Sequence, residues 1–519
     1  MSAVSAASGR LPVLVGCAQW TGPTTAQAAF RSPVQLMAEV ARQAAHDSGA
    51  GEALLRAVDS LAVLRLFADA MPRFVSPFGR IVNPPWSLAR QLGLQPRDIG
   101  YARSGGDSPQ VMLHRACERI AEGASEVALI VGAEALHSEL VARRTGRALA
   151  WGEDAPHAPT TLDPGPPSSF KPHEIAHGLD SPMAMYGLIG QAIRADLGLG
   201  VEDYRAACGR LLAPFAQVAR DNPWAGRRAG YTAAQIAGVG AENPVLGSPY
   251  TKRMTAHVYV DQAAAFFVCA QHKADALGIP RSQRVYLHGG AHAHEQWFVT
   301  DRTRLDRSVA MRLCAAAALE QAGRSLADID LLDLYSCFPA AVQVACHELG
   351  LAPDDARGLT VTGGLPFFGG PGNSYSAFAI VEMMRRLRAR PGSSGLVLAN
   401  GGMLTKQAVG VYASAPPPAG WQAPANAALQ RQIDQEPPCD FTETPAGAAW
   451  VESYVVTHRG SAADPAAIVG RLRADGRRFV ARTPADPRLA AAFERGDAAV
   501  MRGAVRREAA SNVFTPDLP

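Results

Sequence analysis

One device occurs twice in this chain. SGGDSPQVMLHRACERI, Ser104 to Ile120, and GGLPFFGGPGNSYSAFAIVEMM, Gly363 to Met384, each run a glycine-rich turn straight into an apolar helix. A strand-like run follows each helix, SEVALIVGAEA (125–135) in the first case and SGLVLANGG (394–402) in the second. Matching order and length at an offset of about 265 residues mark an internal duplication, which confines the fold to two similar halves facing one another.

The remaining pattern fits two such halves. LPVLVGCAQW, DSLAVLRL (59–66) and IGYA (99–102) alternate with helical stretches such as SPVQLMAEVARQAAHDSGAG, which opens on Ser32-Pro33 and stops at glycine. This βαβαβαβ order predicts a mainly parallel sheet. The second half repeats it with helix RSVAMRLCAAAALEQAGRS, strand IDLLDLYSCF, the second glycine turn and its helix. The 519 residues then divide into an N-terminal half (1–137 and 256–285), an inserted loop domain (138–255), a C-terminal half (286–414), a Pro-rich linker (415–441) and a β-rich domain (442–519).

With 48% hydrophobic residues, 19% charged and a formal charge of +3, the composition argues against disorder and against a nucleic-acid footprint. The eight cysteines are scattered without a CxxC, so neither a disulfide framework nor a zinc ribbon is indicated. No 18-residue apolar run occurs, and MSAVSAASGRLPVLVG lacks the features of an export signal. The expectation is a cytoplasmic protein that takes a small molecule, with no nucleic-acid or membrane partner.

The order of these pieces resembles the thiolase superfamily, in particular sterol-carrier-type thiolases and thiolase-like proteins with an added C-terminal domain. SGGDSPQVML, IAEGASEVALIVGAEA, VDQAAAFFV, DIDLLDLYSCFPAAVQVACHELGL, GGLPFFGGPGN and LANGGML carry the resemblance. It implies an α/β fold, a duplicated five-layered αβαβα core with an inserted loop domain and an OB-like C-terminal domain. It also implies acyl-CoA as ligand, no further cofactor, and a monomer or homodimer.

By the same resemblance, the family's nucleophilic Cys falls on Gly106, its GHP histidine on Gly370, and its second Cys on or beside Ala399, so all three reactive side chains are absent. What remains are the backbone N–H groups of Gly106 and Gly401, which the resemblance aims at a thioester oxygen. Tyr335, in YSCF, stands where thiolases carry an Asn or His, and His257 falls on the pantetheine channel. Tyr335, Gly106, Gly401 and His257 are therefore the candidate catalytic residues, with Asp107 and Asn400 flanking the emptied positions. Each also has a structural reading: a packed ring for Tyr335, a core histidine for His257, a helix N-terminal charge for Asp107 and small core residues for Cys337 and Cys346. The chain is nominally an acyltransferase from which ordinary thiolase activity is not expected. Three functions stay open: retro-aldol cleavage of a β-hydroxyacyl-CoA, non-catalytic acyl-CoA binding as a partner subunit, and acyl transfer through a nucleophile that the motifs do not identify.

Competing motifs are weaker. His173-Glu-Ile-Ala-His177 is a literal HExxH, the mark of a zinc metalloprotease, but Pro172 and Gly178 leave it too short a helix. His288, His292 and His294 share a strand without a third ligand in view, and Arg471, Arg473, Arg477 and Arg478 form a face either solvated or turned to CoA phosphates.

Overall fold

A computed structural model describes residues 10–23, 27–71, 74–166, 168–460, 462–509 and 511–517. Residues 1–9, part of the stretch read as unexported, and 518–519, the end of the β-rich domain, lie outside the described residues. Strands β1 (Pro12–Thr21), β2 (Ser60–Val63), β3 (Asp98–Ala102), β4 (Val127–Ala135), β5 (Thr161–Leu162) and β6 (Asp261–Ala270) form one sheet, ordered β1-β6-β4-β2-β3-β5. The run β4-β2-β3-β5 is parallel, as the βα alternation predicts, while both pairs made by β6 are antiparallel. β7 (Tyr286–His294), β8 (Leu331–Leu334), β9 (Ser394–Gly401) and β10 (Lys406–Ala413) form the second sheet, ordered β8-β9-β10-β7. The strand expected over IDLLDLYSCF stops at Leu334. Tyr335 N–H still donates to the Leu398 carbonyl at 3.1 Å, but Pro339 opens a helix four residues on and turns the chain away.

Helix α1 (Pro33–Asp47) starts at a capping box, with Ser32 and Gln35 bonding each other's N–H groups at 3.3 and 2.8 Å. It covers the outer face of the first sheet. α2 (Ser108–Ala121) carries the first glycine turn, and α3 (Pro182–Asp196) and α4 (Val201–Asp221) belong to the insertion. α5 (Val309–Gln321) covers the outer face of the second sheet, α6 (Pro339–Leu349) follows β8, and α7 (Tyr375–Ala389) carries the second glycine turn. α2 and α7 pack on each other between the two sheets, completing the five αβαβα layers. Lying under a sheet on either side, they bury almost every residue of their first two turns, which is why both read as apolar from the start. No helix among the described residues is long and apolar enough to cross a membrane.

The stretch read as a linker is not a free tether. Helix α8 (Asn426–Ile433) lies along β7, where Asn426 and Gln430 side chains accept the His292 and His294 N–H groups, both at 2.8 Å. These amides occupy the bonding positions a further strand would use. Beyond it, β11 (Gly447–Val455), β12 (Ala467–Leu472), β13 (Arg478–Arg482), β14 (Arg502–Glu508) and β15 (Ser511–Pro516) close into a barrel, ordered β11-β12-β13-β15-β14, around Phe479, Phe493 and Phe514. α3 packs against β11.

Of the four arginines read as one face, Arg473 and Arg477 are exposed, but Arg478 departs from the expectation because it holds the barrel down. Arg478, fully buried, donates to the carbonyls of Thr300 at 3.1 Å, Thr303 at 3.2 Å and Arg302, and pairs with Glu452 at 2.5 Å. It is neither solvated nor at the cavity described below: its planar fork clamps the barrel to the core. The HExxH motif also works at this joint. Its helix is only Pro172–Ala176; Glu174 accepts from Thr300 Oγ1 at 2.7 Å, and His177 Nε2 accepts the Asn512 N–H at 2.8 Å. Of the strand histidines, His292 Nδ1 sits 3.2 Å from His114 Nδ1 in the core and His288 bonds the Ala415 carbonyl at 2.7 Å.

Candidate functional site

The two glycine turns hold each other. Asn373, from the second, accepts the Gly105 N–H at 2.7 Å, and Ser376 Oγ donates to the Gly106 carbonyl at 2.6 Å. The second turn thereby fixes the backbone of the first, a structural use for the repeat that needs no nucleophile. Gly105 has φ 144°, a conformation that L side chains rarely adopt.

Where the turns meet, a cavity of about 640 Å³ opens. Gly106, Tyr335, His257 and Gly370 line it. Gly401 does not: the Asp107 carboxylate fills the space beside its Cα, and Asn400 and Gly402 form the wall on either side. The Gly106 N–H has no acceptor among the described residues.

A Cβ placed on Gly106 would overlap the Tyr335 hydroxyl and stand 2.5 Å from its ring carbon and 2.6 Å from the Asn400 carbonyl oxygen. The phenol thus stands in the volume that a side chain at 106 would need. The ring packs edge-on to Tyr375 at 5.4 Å, and its hydroxyl takes no hydrogen bond from the described residues. Burial pushes the phenol well above its ordinary pKa, with Cys337 and Asp107 adding to the effect. Tyr335 is therefore a protonated donor.

His257 uses its backbone to hold the second turn, donating to the Leu365 carbonyl at 3.0 Å and accepting the Gly370 N–H at 2.9 Å. Burial, with Arg227 next, pushes its imidazole down to about 3, so it is uncharged near neutral pH. Cys337 also lines the cavity, but burial pushes its thiol up to about 12, which leaves it protonated and a poor nucleophile.

Two wall residues escaped the sequence reading. Lys406, at the start of β10, is buried with its amine bonded to the Ser104 carbonyl and 3.9 Å from Asp107. Burial pushes it below the usual amine value, while Asp107 pulls the other way. Asp107, fully buried, makes no cap bond to its helix; Arg103 holds it at 2.7 Å and itself reaches Asp163 at 3.0 Å. Burial opposes ionisation of Asp107, yet Arg103 and Lys406 keep its carboxyl below the usual range. The available signal for Lys406 was one cation in the apolar run KQAVGVYA. The other missed residue is His458, which the barrel domain contributes to the cavity wall and which pairs with Glu494 at 2.5 Å.

Two family profiles match the chain: "Thiolase C-terminal domain-like" over residues 290–414 and "Thiolase-like protein type 1 additional C-terminal domain" over residues 428–509. A solved structure, the monomeric SCP2-thiolase like protein type 1 of Mycobacterium smegmatis, is 35% identical, covers 98% of this chain and 99% of that one, and superposes with a TM-score of 0.83. This chain belongs to the thiolase superfamily. A curated acetyl-CoA acetyltransferase of Syntrophomonas wolfei is 33% identical over 153 residues, which are 28% of this thiolase-superfamily chain. The match spans only 35% of that relative's length. The structure described as "Ltp2-ChsH2(DUF35) aldolase" is 18% identical, covers 78% of this chain and 99% of that one with a TM-score of 0.57, and so shows the shared fold alone.

Proposed function

We propose that the cavity binds an acyl-CoA thioester and cleaves a carbon–carbon bond in a β-hydroxyacyl-CoA without forming an acyl-enzyme. The observation that carries this reading is the Tyr335 hydroxyl, protonated and unpartnered, standing in the place of a side chain at Gly106. Apolar walls at Phe67, Met71, Phe74 and Met183 suit an acyl chain, while Arg227 and Lys252 on the same wall suit phosphates. In the cleavage, the Cα–Cβ pair moves to the thioester as an enolate and the β-carbon becomes a carbonyl. Tyr335 passes its proton to Cα and recovers one from the β-hydroxyl, so no proton is gained or lost overall. The free Gly106 N–H faces the charge that builds on the thioester oxygen.

The test is a panel of β-hydroxyacyl-CoA thioesters, assayed for released aldehyde or ketone and for acyl-CoA. Tyr335→Phe is expected to lower the rate ~10²-fold or more with the acyl-CoA Kd unchanged. Tight acyl-CoA binding with no product from any member of the panel overturns the catalytic reading and leaves a binding subunit. By analogy with its M. smegmatis relative, described as monomeric, we infer that this chain acts as a monomer.

A further inference from the structure

The Lys406 side chain threads between Gly105 and Gly401 to the cavity, at 4% exposure. A Cβ at Gly105 would stand 2.7 Å from its Nζ, and one at Gly401 would stand 3.0 Å from its Cε. The same two Cβ atoms would also strike the Asp107 carboxylate, so both glycines give room to one charged pair. That pair is close but not joined: Nζ lies 3.9 Å from Asp107 Oδ1, which has no hydrogen bond although fully buried. An ammonium carries three N–H donors, and only the Ser104 carbonyl accepts from this one among the described residues. The Trp297 ring centroid lies 5.7 Å from Nζ. Buried donors without acceptors are costly, and this cation borders the cavity beside the turn that holds Gly106.

Building on the acyl-CoA reading of the cavity, we propose that Lys406 is a catalytic residue whose ammonium donates to the carbonyl oxygen of the bound thioester and faces the charge that gathers there. When the bond at Cα breaks, its electron pair forms the new C=C of the enolate and the C=O π pair moves onto the oxygen. On protonation at Cα the C=C pair becomes the new C–H bond and the oxygen pair re-forms the C=O. Lys406 keeps its proton throughout, and ionised Asp107 balances its charge. Tyr335 and Lys406, over successive residues of one turn, divide the work: one moves the proton, the other holds the oxyanion.

The test reads the carbonyl directly rather than turnover. Butyryl-CoA labelled with ¹³C at the thioester carbonyl is bound to the full-length protein, and its isotope-edited infrared stretch is recorded. The expected result is a shift to lower frequency on binding, lost in Lys406→Met and partly kept in Lys406→Arg. The double variant Lys406→Met/Asp107→Asn leaves no lone charge on either residue and is expected to fold and lose the shift as well. Binding with an unshifted carbonyl, or an unchanged shift in Lys406→Met, overturns the role of Lys406 and leaves the acyl-CoA reading standing. Failure of butyryl-CoA to bind overturns both.

Discussion

A cysteine cannot simply be written back at Gly106. Its side chain would enter volume already held by the Tyr335 phenol and the Asn400 carbonyl. Overpacking of a closed core costs roughly 1–3 kcal/mol, so Gly106→Cys is expected to melt measurably lower than the parent. It is also expected to show no thiolysis of acetoacetyl-CoA, because Gly370 supplies no base for the thiol. Gly106→Cys/Tyr335→Ala removes the overlap with the phenol but not that with the Asn400 carbonyl, so it should recover only part of the stability lost to the clash while remaining inactive. Thermal melts and a CoA-dependent cleavage assay check both, and a stable, active single variant would show that the phenol yields its place. The two glycine turns were legible because each fixes its own register along the chain. Lys406 was not: its amine meets Ser104 from 302 positions away, and nothing local to KQAVG announces that contact.

Between elements, α2 and β7 are joined by two histidines. His114 and His292 meet in the core, with Gln110 beside the first and Asn426 of α8 beside the second. Burial is the main reason both imidazoles fall below their ordinary pKa; the partner ring adds to it for His114, and for His292 Arg103 adds to it while Asp163 and Asp107 oppose it. The folded pair therefore binds fewer protons than the unfolded chain once the pH drops below the ordinary histidine value. Its contribution to stability is present above that value and lost as the pH falls, with a limiting slope of about 1.4 kcal/mol per pH unit for each group. Two carboxyls act in the opposite direction: burial raises Glu134 to about 8 and Asp333 to about 6, which favours the fold as the pH falls. The difference between proteins isolates the pair: denaturant titrations from pH 7.5 to 5 should show a smaller acid loss for His114→Gln than for the parent. Identical profiles would show that the rings are not protonated on unfolding. Many of the elements were readable from hydrophobic period, and two departures have a plain physical cause. β8 ended early because a proline starts the next helix, and α8, only eight residues behind APPPAGWQAPA, earns its place through amide contacts with β7 rather than through its own pattern.

At the scale of the molecule, the chain lays its own segments along two strands that would otherwise stand at a sheet edge. Beside β3 lies the short β5, with Tyr101 N–H donating to the Thr160 carbonyl at 2.8 Å, and along β7 lies α8. Cutting after Ser414 removes α8, and the resulting fragment is expected to self-associate. Cutting after Pro437 keeps α8 but removes the barrel and His458, so this fragment should remain better dispersed yet bind acyl-CoA more weakly than the parent. Sedimentation velocity and acyl-CoA titration of the three chains decide it; equal dispersity and equal affinity throughout would make the barrel an independent module. The Arg478 clamp has one more consequence. A wall delivered by a separate subunit is shed on dilution and restored by mass action, whereas a wall carried on the same polypeptide stays at constant effective molarity. The ratio of barrel to thiolase-like core is thus written into the reading frame, and the composition of the cavity does not depend on how much protein the cell makes.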